Sequence, residues 1–176
     1  IGDFIKVLMN KGFAYQVGGD VYFRVGNVTD YGSLSKTVLE NNQAGSRIDV
    51  NTNKENPGDF ALWKVTDDQG IKFDSPFGKG RPGWHTECVV MIKSVFNQPM
   101  VDVHGGGFDL KFPHHENERA QSIAYDGTPL AKYWMHVGFL TAAGGVKMSK
   151  SLGNVVLAKD FLAKYSGNVM RLFFYQ

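Results

Sequence analysis

A chain of 176 residues, 43% hydrophobic and with a formal net charge of +2, is long enough for one packed domain or one domain plus a small appendage. Its acids and bases are interspersed, so charge alone argues neither for nor against a nucleic-acid partner. The single cysteine, Cys88, excludes an intramolecular disulfide and fits a reducing, cytoplasmic setting, and no apolar run reaches the about 20 residues that span a bilayer.

In chain order, "IGDFIKVLMNKG" sets Ile1, Phe4, Ile5, Leu8 and Met9 on one stripe and predicts a helix that ends at Gly12. "FAYQVGGDVYFRV" predicts a hairpin around Gly18-Gly19-Asp20. Residues 26–57 turn polar, and "LENNQAGSRID" reads as an exposed, mobile loop. "FALWK", residues 60–64, reads as a short buried strand, and "DSPFGKGRPGW" as a loop. Then come a helix in "GWHTECVVMIKSVF", a strand in "PMVDVHGGG" and a helix in "PHHENERAQSIAYDG" with Pro113 in its first turn, where proline is best tolerated. "KYWMHVGFL" is a further strand, and helix signals begin at Leu157 and again in "NVMRLFFYQ". Strands alternating with helices predict an α/β fold with a mainly parallel sheet. The chain opens without Met inside an amphipathic pattern and stops in an apolar run, so we expect a piece of a longer protein.

All five histidines and the only cysteine fall within residues 85–136. His114 and Glu118 are four apart, which on a helix puts both on one face, one turn from each other. An imidazole and a carboxylate so placed suit a metal ion, and Cys88 on another helix offers a thiolate. Sulfur, nitrogen and oxygen donors together suit Zn²⁺. The plain alternative is a hydrogen-bonded His–Glu pair beside a cysteine that packs as a small hydrophobe. His115 and Glu116, turned away from that face, read as supporting or surface residues.

"DVHGGGFD" follows an apolar strand, where a ligand approaches the backbone in parallel sheets. His104 and Asp109 are candidates to contact it; a tight turn between strand and helix explains the glycines equally well. "GGVKMSKSLGN" carries Lys147 and Lys150 on a glycine-hinged loop with Ser149 and Ser151. Ammonium groups on such a loop suit developing phosphate charge, although a solvated basic turn has the same composition.

Residues 147–151, Lys147-Met148-Ser149-Lys150-Ser151, spell the KMSKS signature of class I aminoacyl-tRNA synthetases. "RPGWHTEC", "HGGGFDLKFPHHENE" and "YWMHVGFL" precede it in the expected order. With these motifs the chain resembles the cysteinyl-tRNA synthetase family over nearly its whole length. "VYFRV", "DYGSLS" and "NPGDFALWK" resemble the segment that joins the two halves of that family's nucleotide-binding fold.

The resemblance implies a connecting segment over residues 1–56, with helix, hairpin and polar loop. It implies the second half of a Rossmann-like catalytic domain over residues 57–176. It implies Cys88, His114 and Glu118 as zinc ligands, with a fourth, a cysteine, that no residue here matches. The family's HIGH motif and anticodon-binding region likewise have no counterpart here. Lys147 and Lys150 would be catalytic, and Gly106, Asp109, Met148, Ser149, Lys150 and Ser151 would face ATP, used with Mg²⁺. Trp84, His85 and His104 would surround the substrate cysteine. The acceptor would be the tRNA for cysteine, the protein a monomer, and no membrane would be involved. Two other functions share part of this sequence pattern: a zinc-dependent ligase that joins activated cysteine to an amino sugar, and a non-catalytic zinc module. The 176-residue piece alone is expected not to aminoacylate.

Overall fold

The computed structural model describes residues 1–37, 54–141, 144–146 and 148–175, with the backbone alone at Lys150. The segment read as an exposed loop, residues 39–49, lies outside the described residues, and so does Lys147. The chain divides into two compact units, Ile1–Val137 and Gly138–Gln176.

The first unit opens with helix α1 (Gly2–Asn10), which buries Phe4, Ile5 and Leu8 as the apolar stripe predicts. Strands β1 (Ala14–Val17) and β2 (Asp20–Phe23) form the hairpin, with Val17 opposite Asp20. Its two turn residues, Gly18 and Gly19, both have positive φ (59° and 93°), the backbone that a tight primed turn requires. Strand β3 (Phe60–Val65) pairs antiparallel with β2, and β4 (Gly80–Pro82) pairs antiparallel with β3. The resulting sheet runs β1-β2-β3-β4. β4 lies inside the stretch that composition marks as a loop. Its place at the end of the sheet is one where proline and glycine are tolerated.

Helix α2 (Trp84–Phe96), strand β5 (Val101–Gly107), helix α3 (Glu116–Asp126) and strand β6 (Ala131–Val137) follow. β5 and β6 pair in parallel, Val101 opposite Ala131 and Gly107 opposite Val137. Parallel strands need a crossover, and α3 is that crossover. The fold is therefore α/β, with the parallel pairing at β5 and β6 and the other described strands antiparallel. Between β5 and α3, Phe112 is extended (φ −141°, ψ 135°) and helical backbone resumes at Pro113. The proline thus starts the helical run, where its missing N–H costs nothing.

The core gathers Ile5 and Leu8 of α1, Phe23 and Leu62 of the sheet and Val89 of α2. Each such side chain contributes roughly 1.5–3 kcal/mol by burial. α3 adds the buried Ala120 and Ala124, small residues that let its backbone lie close to α1 and α2, and the half-buried Tyr125, which stacks on Phe4 (ring centroids 4.6 Å apart). Lys93 of α2 ties the two helices at their far ends, donating to Ser122 Oγ (3.0 Å) and pairing with Asp126.

The second unit holds a short turn at Lys150–Leu152 and helices α4 (Ala158–Leu162) and α5 (Gly167–Phe174). Among the described residues no helix is long and apolar enough to cross a membrane.

Candidate metal centre

The first two turns of α2 carry Trp84, His85 and Cys88; the helical turn that leads into α3 carries His114 and His115, and the first turn of α3 carries Glu118. Packing of α2 against α3 brings Cys88, His114 and Glu118 together: one donor atom from each lies within 4.8 Å of the others. Glu118 is fully buried, and His114 is 5% exposed. A carboxylate taken entirely out of water must be paired or bound to a cation. Here His104 Nε2 lies 2.7 Å from Oε2, and His114 Nε2 lies 3.1 Å from Oε1. The second approach is not aligned as a hydrogen bond, so among the described residues Oε1 stays buried without a hydrogen-bond partner.

The rings behind these groups are also joined. His85 Nδ1 stands 2.8 Å from His114 Nδ1, and His115 Nδ1 stands 2.8 Å from His136 Nε2. Burial, then the neighbouring His114, holds His85 down at about 4. Burial likewise holds His115 at about 4. For Glu118 burial pushes the carboxyl up, but the imidazoles of His104 and His114 together outweigh it and hold it at about 2. Burial, followed by the Glu118 charge, pushes the Cys88 thiol up to about 11.

These features fit a zinc ion held by Cys88 Sγ, His114 Nε2 and Glu118 Oε1. The donor set is the mixed sulfur, nitrogen and oxygen type that zinc accepts, and among the described residues Oε1 makes no aligned hydrogen bond. His114 Nδ1 and Glu118 Oε2, the second atoms of two ligands, are already engaged by His85 and His104. Such outer contacts are the ordinary support of a metal site. His104, His115 and Glu118 also lie within metal-binding distance of one another. The His104–Glu118 hydrogen bond satisfies that trio without an ion, so we read it as the support of the first.

The remaining sequence-predicted residues fall in different places. Trp84 lies tilted beside His114, ring centroids 4.2 Å apart, yet is 59% exposed. With His85, Phe60, Lys64 and Arg81 it lines a cleft of about 360 Å³. Gly106 meets a packing need inside the fold: a Cβ there would stand 2.9 Å from His115 Cε1 and 3.0 Å from Leu110 Cδ1. Asp109 is exposed and its Oδ1 reaches back over Gly107, 2.5 Å from where a Cβ would lie. In the second unit, Ser149 Oγ and Ser151 Oγ are 3.1 Å apart, Ser149 N–H donates to Asn154 Oδ1 (2.8 Å) and Met148 N–H donates to Leu140 O (3.0 Å).

His115 and Glu116, read as supporting or surface residues, are 2% and 0% exposed. Their burial comes from groups distant in sequence: His136 on β6 for one and the Ser35 N–H for the other. Sequence reasoning gave Asn117, with His115 and Glu116, a supporting place between the ligands, but assigned no role to His136, Tyr31 or Arg119. The signal available was the density of polar residues on α3, too many for a helix that also had to pack.

The whole sequence, residues 1–176, matches the family described as the tRNA synthetases class I (C) catalytic domain. Curated proteins named cysteine–tRNA ligase are similar to it. The protein from Acholeplasma laidlawii is 56% identical over 96% of this chain and 38% of its own length. That from Aquifex aeolicus is 53% identical over 96% of the chain and 34% of its own length. That from Halalkalibacterium halodurans is 51% identical over 97% of the chain and 36% of its own length. The chain thus spans little more than a third of these relatives.

Proposed function

The chain belongs to the class I (C) tRNA synthetase catalytic-domain family, and on that premise we propose that it is part of a cytoplasmic, monomeric cysteine–tRNA ligase. Residues 1–56 serve as its connecting segment and residues 57–176 as the second half of its catalytic domain. The observation that carries this reading is the convergence of Cys88, His114 and Glu118 within 4.8 Å.

The reaction runs in two steps. The cysteine carboxylate attacks the α-phosphate of ATP, the bond to the β-phosphate breaks and pyrophosphate leaves. A terminal ribose hydroxyl of tRNA then attacks the acyl carbon, and AMP leaves. Specificity has to separate cysteine from serine, which differ by one atom, and pocket shape discriminates poorly between such analogues. Bound to Cys88, His114 and Glu118, zinc supplies a soft Lewis acid that prefers a thiolate to a hydroxyl. His104 holds Glu118 with one oxygen turned to the ion, and His85 does the same for His114. Trp84 forms an apolar wall beside His114, where the substrate side chain would lie. On the 147–151 loop, the Lys150 ammonium balances charge that grows on the departing pyrophosphate, a contact made mainly in the transition state. Lys147 anchors the loop, and Met148, Ser149, Ser151, Gly106 and Asp109 complete the ATP side.

The test uses the full-length protein and its Cys88→Ser variant. Zinc content and cysteine-dependent exchange of pyrophosphate into ATP are measured for both. We expect the parent to hold zinc and exchange, and the variant to lose zinc and most of its exchange. Exchange that is independent of cysteine, or zinc retained by the variant, overturns the reading. Loading an amino sugar in place of tRNA would move the protein to the other ligase class.

A further inference from the structure

α3 and the helical turn that leads into it present their ligands on one face and are held from the other. At about 100° per residue, His114 and Glu118 share a face, while Glu116 projects from the opposite side. Glu116 is fully buried there, and its Oε2 accepts the backbone N–H of Ser35 at 2.7 Å. On the flanks, Tyr31 OH donates to Asn117 Oδ1, and Arg119 forms an ion pair with Asp30. Arg119 also stands 3.9 Å from Glu116 Oε1. All three ties therefore reach one six-residue stretch, 30–35, some eighty residues earlier in the sequence.

That stretch has its own internal order. Tyr31 N–H donates to Val28 O (3.1 Å), Ser33 N–H to Asp30 O (3.1 Å) and Thr37 N–H to Gly32 O (3.2 Å). A loop so folded offers a fixed counterpart to the helix. The first turn of α3, by contrast, has no side-chain cap of its own. The helix's fully buried apolar contacts are Ala120 and Ala124, which set distance but resist rotation about the helix axis weakly. Tyr125 on Phe4, and Lys93 with Ser122 and Asp126, hold the far end of the helix, away from the ligands. Three polar ties at different angles around the axis do resist it.

We infer that residues 30–35 are a brace that fixes the rotation of α3, with Tyr31 and Arg119 as positioning residues for the ligands His114 and Glu118. The inference rests on the zinc reading above. A small rotation of the helix would carry His114 Nε2 and Glu118 Oε1 away from Cys88, and the loss would appear first in metal affinity.

The experiment compares full-length parent, Tyr31→Phe, Arg119→Met and the double variant. Zinc affinity is measured by competition with a chelator. KM for cysteine, KM for ATP and the thermal midpoint of the zinc-free protein are recorded beside it. We expect zinc affinity to fall about tenfold in each single variant and further in the double, the size seen when groups supporting a ligand are removed. KM for cysteine should rise while KM for ATP holds. Tyr31→Phe removes one hydroxyl and keeps the ring, so it carries the test if Arg119→Met fails to fold. A lowered thermal midpoint with zinc affinity within about twofold of the parent overturns the brace, because the stretch would then only stabilise the fold. A parent that binds no zinc, or a Cys88→Ser protein that keeps it, instead overturns the metal reading and takes the brace down with it.

Discussion

Nδ1 of His85 and Nδ1 of His114 face each other at 2.8 Å, so one ring donates and the other accepts. If His114 binds a metal through Nε2, its proton sits on Nδ1 and is given to His85. His85 is then neutral, with its own proton on Nε2. The ring beside Trp84 is thus a support of the ligand as well as a lining of the pocket. His85→Ala should weaken zinc binding about 10–100-fold in a chelator competition, with the fold retained by circular dichroism. Unchanged affinity would show that His114 is oriented by packing alone.

Cys88 predicts how metal binding depends on pH. Its thiol is pushed up to about 11, so the metal-free protein carries it protonated at neutral pH. Binding zinc must then release that proton. Affinity should rise about tenfold per pH unit near neutrality. Calorimetry in buffers of different ionisation enthalpy counts the proton. A pH-independent affinity would remove Cys88 from the ligand set.

Metal-free stability should form a plateau with two shoulders. His85 and His115 titrate near 4 when folded against 6.5 ordinarily. The unfolded chain therefore binds more protons in that interval, and stability falls as pH drops from about 6.5. Glu118, at about 2 against 4.5, extends the fall further into acid. Cys88 acts at the other end: its raised value makes the folded state hold a proton that the unfolded chain releases, so stability declines as pH climbs from 9 towards about 11. Denaturant midpoints across pH, taken with chelator present, should trace this shape. A midpoint flat between pH 4 and 7 would mean that the histidines open to solvent without the ion.

Gly106 separates packing from ligand contact. An added methyl there would meet the ring of His115, which is buried and tied to His136. Gly106→Ala should cost about 1–3 kcal/mol of stability, as overpacked cores do, and lower the thermal midpoint with or without ATP. A variant of parental stability with a raised KM for ATP would instead assign the glycine to the nucleotide.

Most local structure was legible in the sequence because it is local. The stripe of α1, the Gly18-Gly19 turn and the Pro113 helix start each follow from neighbours a few residues apart. β4 was not, since its pairing with residues 63–65 overrides a composition rich in proline and glycine. The His114–Glu118 spacing pointed to one helical face, and Cys88 joined them as a donor by its chemistry alone, because spacing carries no distance between separate helices. Least legible were Glu116, Asn117 and Arg119. A run of polar residues reads as ligand support or as surface, and only the fold reveals that residues 30–35 cover it.

Within seven positions, 114–120, the chain addresses three partners: Cys88, the 30–35 stretch and, through Ala120, the apolar interior. Each is met at its own angle around the axis. Inserting or deleting one residue cannot be absorbed, since it turns everything beyond it by about 100°. The segment from His114 to Ala124 is therefore bound to a fixed count of residues.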